Sequence, residues 1–135
     1  MADKVQFELV SPERLLISRE VGMVVVPGAE GDFGVLPEHA PLISTVRPGV
    51  IDVYDDGQTI SDRIFVSGGF AEVTGERCTV LAEEALPLKE IDRVHVQKDL
   101  DDLQRQLGEA ANDQARDRLS QQIEAAEAKL AALAA

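Results

Sequence analysis

The chain has 135 residues, with 13 basic and 25 acidic side chains and a net charge of −12. That length holds one domain, or one small domain with an appendage, and the acidity excludes the basic patch of a nucleic-acid binder and disfavours adhesion to anionic lipid. A single cysteine excludes an internal disulfide framework and makes a reducing compartment the default, one cysteine and two histidines are too few for a His/Cys zinc cage, and no run of eighteen apolar residues is present to cross a bilayer.

Composition changes near Pro87. Residues 1–87 hold nine of the ten glycines, all six prolines, all four phenylalanines and the only tyrosine. Residues 88–135 are rich in Ala, Leu, Gln, Asp and Glu, which suit helix better than the punctuated first part does. The chain therefore divides into a β-rich part, 1–87, and a helical part, 88–135. No internal repeat is visible.

In chain order, Val5–Leu9 alternates apolar and polar residues, the period of a half-buried strand. Leu15–Ile17, Met23–Val26, Val50–Tyr54, Ile64–Val66 and Thr79–Leu81 are further β-rich runs. Ser11-Pro12, Pro27-Gly28, Arg47-Pro48-Gly49, Asp55-Asp56-Gly57, Ser67-Gly68-Gly69 and Thr74-Gly75-Glu76 separate them with turn chemistry. Asp56-Gly57 predicts a two-residue type I′ hairpin. Many short antiparallel strands at this spacing predict a sandwich or barrel.

Beyond Pro87, Val96, Leu100, Leu103, Leu107 and Ala110 step by four and three, and Leu119, Ile123, Ala126, Leu130 and Leu133 repeat the pattern. Each set predicts an apolar seam on one helical face, as in antiparallel helix packing. Gly108 and Asn112-Asp113 fall between the seams, and Asn112 or Asp113 is placed to cap the second helix. A hairpin of 48 residues is marginal alone, so it is expected to lean on the β-rich part or on a partner.

Few residues are arranged for chemistry. Gly28-x-x-Gly31-x-x-Gly34 lacks the Gly-Lys-Ser/Thr ending of a phosphate loop and opens no helix, so the three glycines are expected to supply positive φ in a tight turn. His39 lies between Pro37 and Pro41, in a segment expected to be rigid and extended, with no matching nucleophile and acid. Cys78 sits in a strand pattern as a small buried apolar residue. Glu83-Glu84 at a strand end faces two ways and makes no dyad. Asp99, Asp101 and Asp102 fit a solvated helix face and no calcium loop. No catalytic or metal-ligating set emerges and no cofactor is implied. Pattern alone gives an acidic β-domain with a helical hairpin, a binding or interaction module.

Three motifs go further. Val26-Pro27-Gly28-Ala29-Glu30-Gly31-Asp32-Phe33-Gly34-Val35-Leu36-Pro37-Glu38-His39-Ala40-Pro41-Leu42, then Arg47-Pro48-Gly49, then Phe65-Val66-Ser67-Gly68-Gly69-Phe70-Ala71-Glu72-Val73 occur in order. Together they resemble the epsilon-subunit family of F-type ATP synthases, over the whole chain. The resemblance implies a ten-stranded β-sandwich followed by two antiparallel helices. It implies no catalysis of its own. It implies a place in the central stalk, joining the gamma subunit to the c-subunit ring and coupling proton flow to ATP synthesis. Ala29, Glu30, Gly31 and Asp32 match the family's turn toward the c-ring, and His39, Ala40 and Pro41 its segment near gamma. The expected location is the cytoplasmic face of a bacterial inner membrane, since no targeting segment precedes Val5, with attachment through partners and not through lipid.

In some family members the hairpin opens toward the alpha/beta catalytic head and inhibits ATP hydrolysis. Here the second helix offers Arg116, Arg118 and Lys129 against Asp113, Asp117, Glu124 and Glu127, so its electrostatic docking on an acidic surface is expected to be weak. Other members bind regulatory ATP through Ile-Asp-x-x-Arg-Ala. This chain has a degenerate form, Ile91, Asp92 and His95, with Val96 in place of alanine. Histidine lacks the guanidinium fork and is mostly neutral at pH 7. A nucleotide-sensing module is therefore the alternative to a rotor subunit, disfavoured by His95 and Val96.

Overall fold

The computed structural model describes residues 4–134. The chain forms two compact units, Met1–Pro87 and Leu88–Ala135. The first holds β1 (Val5–Val10), β2 (Leu15–Val21), β3 (Met23–Gly28), β4 (Gly31–Val35), β5 (Leu42–Val46), β6 (Gly49–Tyr54), β7 (Asp62–Val66), β8 (Gly69–Val73), β9 (Arg77–Ala82) and β10 (Ala85–Pro87). They join in the order β10-β7-β6-β3-β5-β8-β9-β1-β2, with β4 added on β3. The pairing is antiparallel except between β1 and β9, which run parallel. That exception to the all-antiparallel expectation is permitted because the chain between β1 and β9 traverses the rest of the unit, which is ample length to return in the same direction.

Gly28 and Val46 form the single pair between β3 and β5. Here the sheet bends from one layer into the other. Its two ends then meet: Arg19 of β2 donates to Asp62 of β7 and, at 3.0 Å, to Asp55 beyond β6. The Gly22 N–H donates to the Tyr54 carbonyl at 2.8 Å nearby. Burial alone would lower the Arg19 pKa, but hydrogen bonds and charge from Asp62 and Asp55 leave it raised. One core fills the interior, built from alternate residues such as Val5, Phe7 and Leu9 of β1, Ile51 and Val53 of β6, Val73 of β8, and Cys78 and Val80 of β9. Each larger member contributes about 1.5–3 kcal/mol by leaving water.

The link between β6 and β7 is longer than a two-residue hairpin and spans residues 55–61. Among its non-glycine residues none has positive φ, and Gly57 alone takes it, at 78°. Asp56 explains the difference. Its carboxylate accepts the N–H groups of Gln58 and Thr59, each at 2.8 Å, and so folds the loop forward on itself. Those bonds, from Thr59 first and then Gln58, hold the Asp56 carboxyl below its ordinary pKa.

The second unit begins with a 3-10 turn, Leu88–Glu90, and continues as α1 (Arg93–Gly108) and α2 (Asp113–Ala134). Asp92 caps α1 by accepting the Val94 N–H at 3.0 Å, and Asn112 accepts the Ala115 N–H at 2.8 Å at the start of α2. Val96 and Leu100 of α1 pack with Ala126 of α2, flanked by Ile91, Leu103, Ile123 and Leu130. Ala110, expected to continue the first seam, lies beyond α1. The N–H groups of Glu109 and Ala110 turn back to the Gln106 and Leu107 carbonyls and end the helix.

Burial pushes the Cys78 thiol up to about 12. Alkylation at pH 8 should therefore be negligible in the folded protein and rapid in denaturant. Because the folded pKa lies above the unfolded one, about 8.5, stability should be fully retained below pH 8 and fall as pH rises from there toward 12. An alkylation time course and urea titrations at several pH values check both statements.

Candidate interface surfaces

β3 and β4 are closed by a two-residue turn, Ala29-Glu30, across the Gly28–Gly31 pair. Gly31 takes φ 134°, and a Cβ there would meet nothing within 4 Å, so the backbone conformation alone demands glycine. Gly28 is required for a different reason. A Cβ there would lie 2.8 Å from the Gly31 carbonyl oxygen and 2.9 Å from the Phe33 ring. Neither Gly28 nor Gly34 has positive φ, so only one of the three glycines does what the spacing predicted.

Ala29, Glu30, Gly31 and Asp32 are all exposed. Glu30 stands at the tip. Asp32 is engaged, since Arg47 Nη2 donates to its Oδ1 at 2.5 Å and Arg47 Nη1 donates to the Gly28 carbonyl at 2.5 Å. The Arg47 N–H reaches the Pro27 carbonyl at 2.9 Å, and the Ala29 N–H reaches the Thr45 carbonyl at 2.8 Å. A Cβ on Gly49 would sit 3.0 Å from Pro27. The Arg47-Pro48-Gly49 motif is thus folded against the base of the Ala29-Glu30 turn.

His39, Ala40 and Pro41 lie in the β4–β5 connection. The segment is bent, not extended: Glu38 has φ 66°, and the His39 N–H turns back to the Leu36 carbonyl at 3.2 Å. The Glu38 N–H is held by the Gly75 carbonyl at 2.8 Å, which ties the bend to the β8–β9 turn. His39 Nδ1 lies 2.6 Å from the Ala40 carbonyl oxygen. This loop meets β5 at Leu42, whereas the Ala29-Glu30 turn meets it near Val46. The five residues of β5 set the two about 13 Å apart along the strand.

Between them lies an apolar face. Register aligns Thr45, Phe70, Leu81, Val10 and Leu15 in one row across β5, β8, β9, β1 and β2, on the side away from the core. Ile43 is diagonal to Phe70 on the same side. Phe70, Leu81, Leu15 and Ile43 are 56–72% exposed. Beyond Ile43, which stands opposite Glu72, the next row is polar through Glu72, Thr79, Glu8 and Ser18, and Arg77 pairs with Glu8 at 2.8 Å beside it. Contiguous exposed apolar residues with a polar rim mark an interaction surface.

In the helical unit, Ile91 packs into the seam, Asp92 is the cap, and His95 Nε2 lies 3.3 Å from Asp99 Oδ2 on an exposed face. Val96 is buried. An open groove is lined by Arg93, Val94, Gln97, Lys98, Asp101 and Leu130, and the three residues of the degenerate motif are not among them. Asp101 accepts from Gln97 at 3.0 Å and Asp102 pairs with Arg105 at 3.5 Å, so this face is engaged locally. Glu83 and Glu84 are exposed in the β9–β10 connection. Among the described residues no cluster of three metal-ligating groups occurs, and no helix is long and apolar enough to cross a membrane.

The family described as ATP synthase, Delta/Epsilon chain, beta-sandwich domain matches residues 4–88. The chain belongs to this ATP synthase delta/epsilon chain family. The ATP synthase epsilon chain of Rhodospirillum centenum is 58% identical over 134 residues, covering 96% of this chain and 92% of that relative. The epsilon chain of Rhodospirillum rubrum is 54% identical over 132 residues, covering 98% of each. Among solved structures, the Euglena gracilis mitochondrial ATP synthase, described as OSCP/F1/c-ring in rotational state 1, contains a chain with TM-score 0.82 and 27% identity. The alignment covers 98% of this chain and 83% of that one. A chain of the Tetrahymena thermophila mitochondrial ATP synthase central stalk and c-ring shares the fold alone, with TM-score 0.56 and 14% identity over 64% of this chain and 69% of that one.

Sequence reasoning named Arg47 in its motif but missed the apolar face and the hold of the Arg47 side chain on the turn. The signal for the face was present: in Gly69-Phe70-Ala71-Glu72-Val73, Phe70 falls on the same parity as Glu72, the water side of the strand. If that face is surface and not core, Phe70→Ser should change unfolding stability by no more than about 0.5 kcal/mol, while Val80→Ser should cost at least about 2 kcal/mol. Urea titration of the two variants decides it.

Proposed function

We propose that this chain is a non-catalytic rotor subunit of a proton-translocating F-type ATP synthase. Its β-sandwich, 1–87, links the gamma subunit to the c-subunit ring and so couples proton translocation to ATP synthesis. The observation that carries this reading is the exposed apolar row of Phe70, Leu81 and Leu15, which a partner must cover, in a chain of this family. Gamma covers that row and the adjoining His39, Ala40 and Pro41. The c-ring meets Ala29, Glu30, Gly31 and Asp32. The relatives' names and the F1/c-ring assembly of the Euglena gracilis neighbour support the same reading. The protein then lies on the cytoplasmic face of a bacterial inner membrane, held by its partners.

Mechanically, each contact has one end of β5. β5 is paired with β8 along its whole length and with β3 through the Gly28–Val46 pair, so displacement at the turn passes through β5 and β8 to the apolar face. Phe70→Asp should weaken gamma binding about 100-fold or more, and Glu30→Lys should weaken c-ring association about tenfold while leaving gamma bound. Titrations of the full chain against purified gamma and c-ring check both. Unchanged binding in both variants would sink the reading.

A second role belongs to the hairpin, 88–135. It has its own seam and caps, so its two helices are held together by contacts within the hairpin. Extended toward the alpha/beta head, it brakes ATP hydrolysis. A synthase assembled with the chain ended at Pro87 should then hydrolyse ATP severalfold faster than one with the full chain, and equal rates exclude the brake in that assay. Nucleotide sensing is weaker, because His95 faces Asp99 and Val96 fills the seam. Calorimetry should find no micromolar ATP site.

A further inference from the structure

We propose that Arg47 is the positioning residue of the Ala29-Glu30 turn, its guanidinium holding the tip in the form that the c-ring meets. The proposal rests on the assignment of that turn to the c-ring. The two-residue turn is held by its closing pair and, on the Ala29 side, by the Ala29 N–H on the Thr45 carbonyl at 2.8 Å. Here the space beside Gly31 is open, so no packing steadies the tip from that side. Arg47 adds the side-chain support that joins the two strands at the base of the turn. Its planar fork offers two N–H groups at fixed spacing, and they reach both strands of the hairpin at once: the Gly28 carbonyl before the turn and the Asp32 carboxylate after it. The staple comes from outside the hairpin, because Arg47 follows directly on β5, and its own N–H is bonded to the Pro27 carbonyl of β3.

Three consequences separate this from an ordinary surface ion pair. Arg47 and Asp32 are 42% and 61% exposed, so their pairing adds little to global stability. Its loss should instead appear locally, in the turn. Asp32 acts through Arg47 and not as a free contact charge, so the effects of altering the two residues should overlap, whereas Glu30 acts independently. Lysine, a point charge without the fork, can serve one of the two partners but not both.

The test uses the full chain bound to gamma, titrated onto detergent-solubilised c-ring, with Arg47→Met, Arg47→Lys, Asp32→Asn, Glu30→Lys and the Arg47/Asp32 double variant. Amide hydrogen exchange is read at Ala29 in each. Arg47→Met should weaken c-ring binding about tenfold and speed Ala29 exchange at least as much, with gamma affinity and thermal midpoint unchanged. Arg47→Lys should recover only part of the loss. Asp32→Asn should have a smaller effect, and the double variant should be no worse than Arg47→Met alone. If Glu30→Lys weakens binding but Arg47→Met does not, the turn is a contact and Arg47 does not position it. If neither change matters, the assignment of the turn fails and the proposal falls with it. Parallel losses of gamma affinity or thermal midpoint in Arg47→Met would reduce Arg47 to a general structural residue and overturn the proposal.

Discussion

The architecture of the first unit depends on one short junction, the Gly28–Val46 pair between β3 and β5. β3 is bonded to β6 through Met23, Val24 and Val25, and only its last residue reaches β5. A sheet joined through one pair there is free to crease, and the crease lets two layers close over a shared core. Gly28 is the residue at which this is possible. Any side chain would press on Gly31 and the Phe33 ring, and would displace the hairpin from the corner. The same corner carries the Arg47 staple. Closure of the fold and presentation of the turn are therefore one geometric event.

Closure at the far side works differently. The edge strand β2 meets the start of β7, ahead of its pairing with β10, through charge, with Arg19 placed between Asp55 and Asp62. All three groups are partly exposed, so the arrangement contributes register more than energy. Tyr54 and Gly22 add a backbone bond at the same place. The outer face left by this closure is unequal. Rows near the Arg77–Glu8 pair are polar and self-satisfied, while the Phe70 row is not. Inequality of that kind does nothing for a free monomer, since large apolar side chains in water gain nothing by their exposure. It becomes favourable when another surface removes them from water.

Legibility in the sequence followed the strength of local alternation. β1, β2, β3, β6, β7 and β9 were found because their apolar residues repeat with period two or run continuously. β4 escaped because Gly31 and Gly34 read as turn residues, and β10 because it has three residues and ends in proline. β5 and β8 alternate well, but their apolar outward positions, Ile43 and Phe70, blur the contrast between faces. The ten-strand count came from the family resemblance. Site legibility failed for a related reason. Arg47 gains its role only when β5 returns beside β3, a contact between residues 19 apart in the chain that no local window contains. The turn's residues were named from the motif, but their division into tip and staple required the fold.

The helical unit shows why motif residues must be weighed against folding roles. Asp92 belongs to a pattern that binds ATP elsewhere in the family, yet here it satisfies an N–H at the first turn of α1. That orphan N–H exists in every helix of this kind, with or without a ligand. Ile91 likewise closes the seam, and a large apolar residue there would be selected by packing alone. His95 is held one helical turn from Asp99, so its most direct contact is with its own helix. Each retained or altered position is accounted for by capping, packing or an intrahelical contact. Capping and packing alone are enough to hold Ile91 and Asp92 in place, so their presence carries no information about nucleotide.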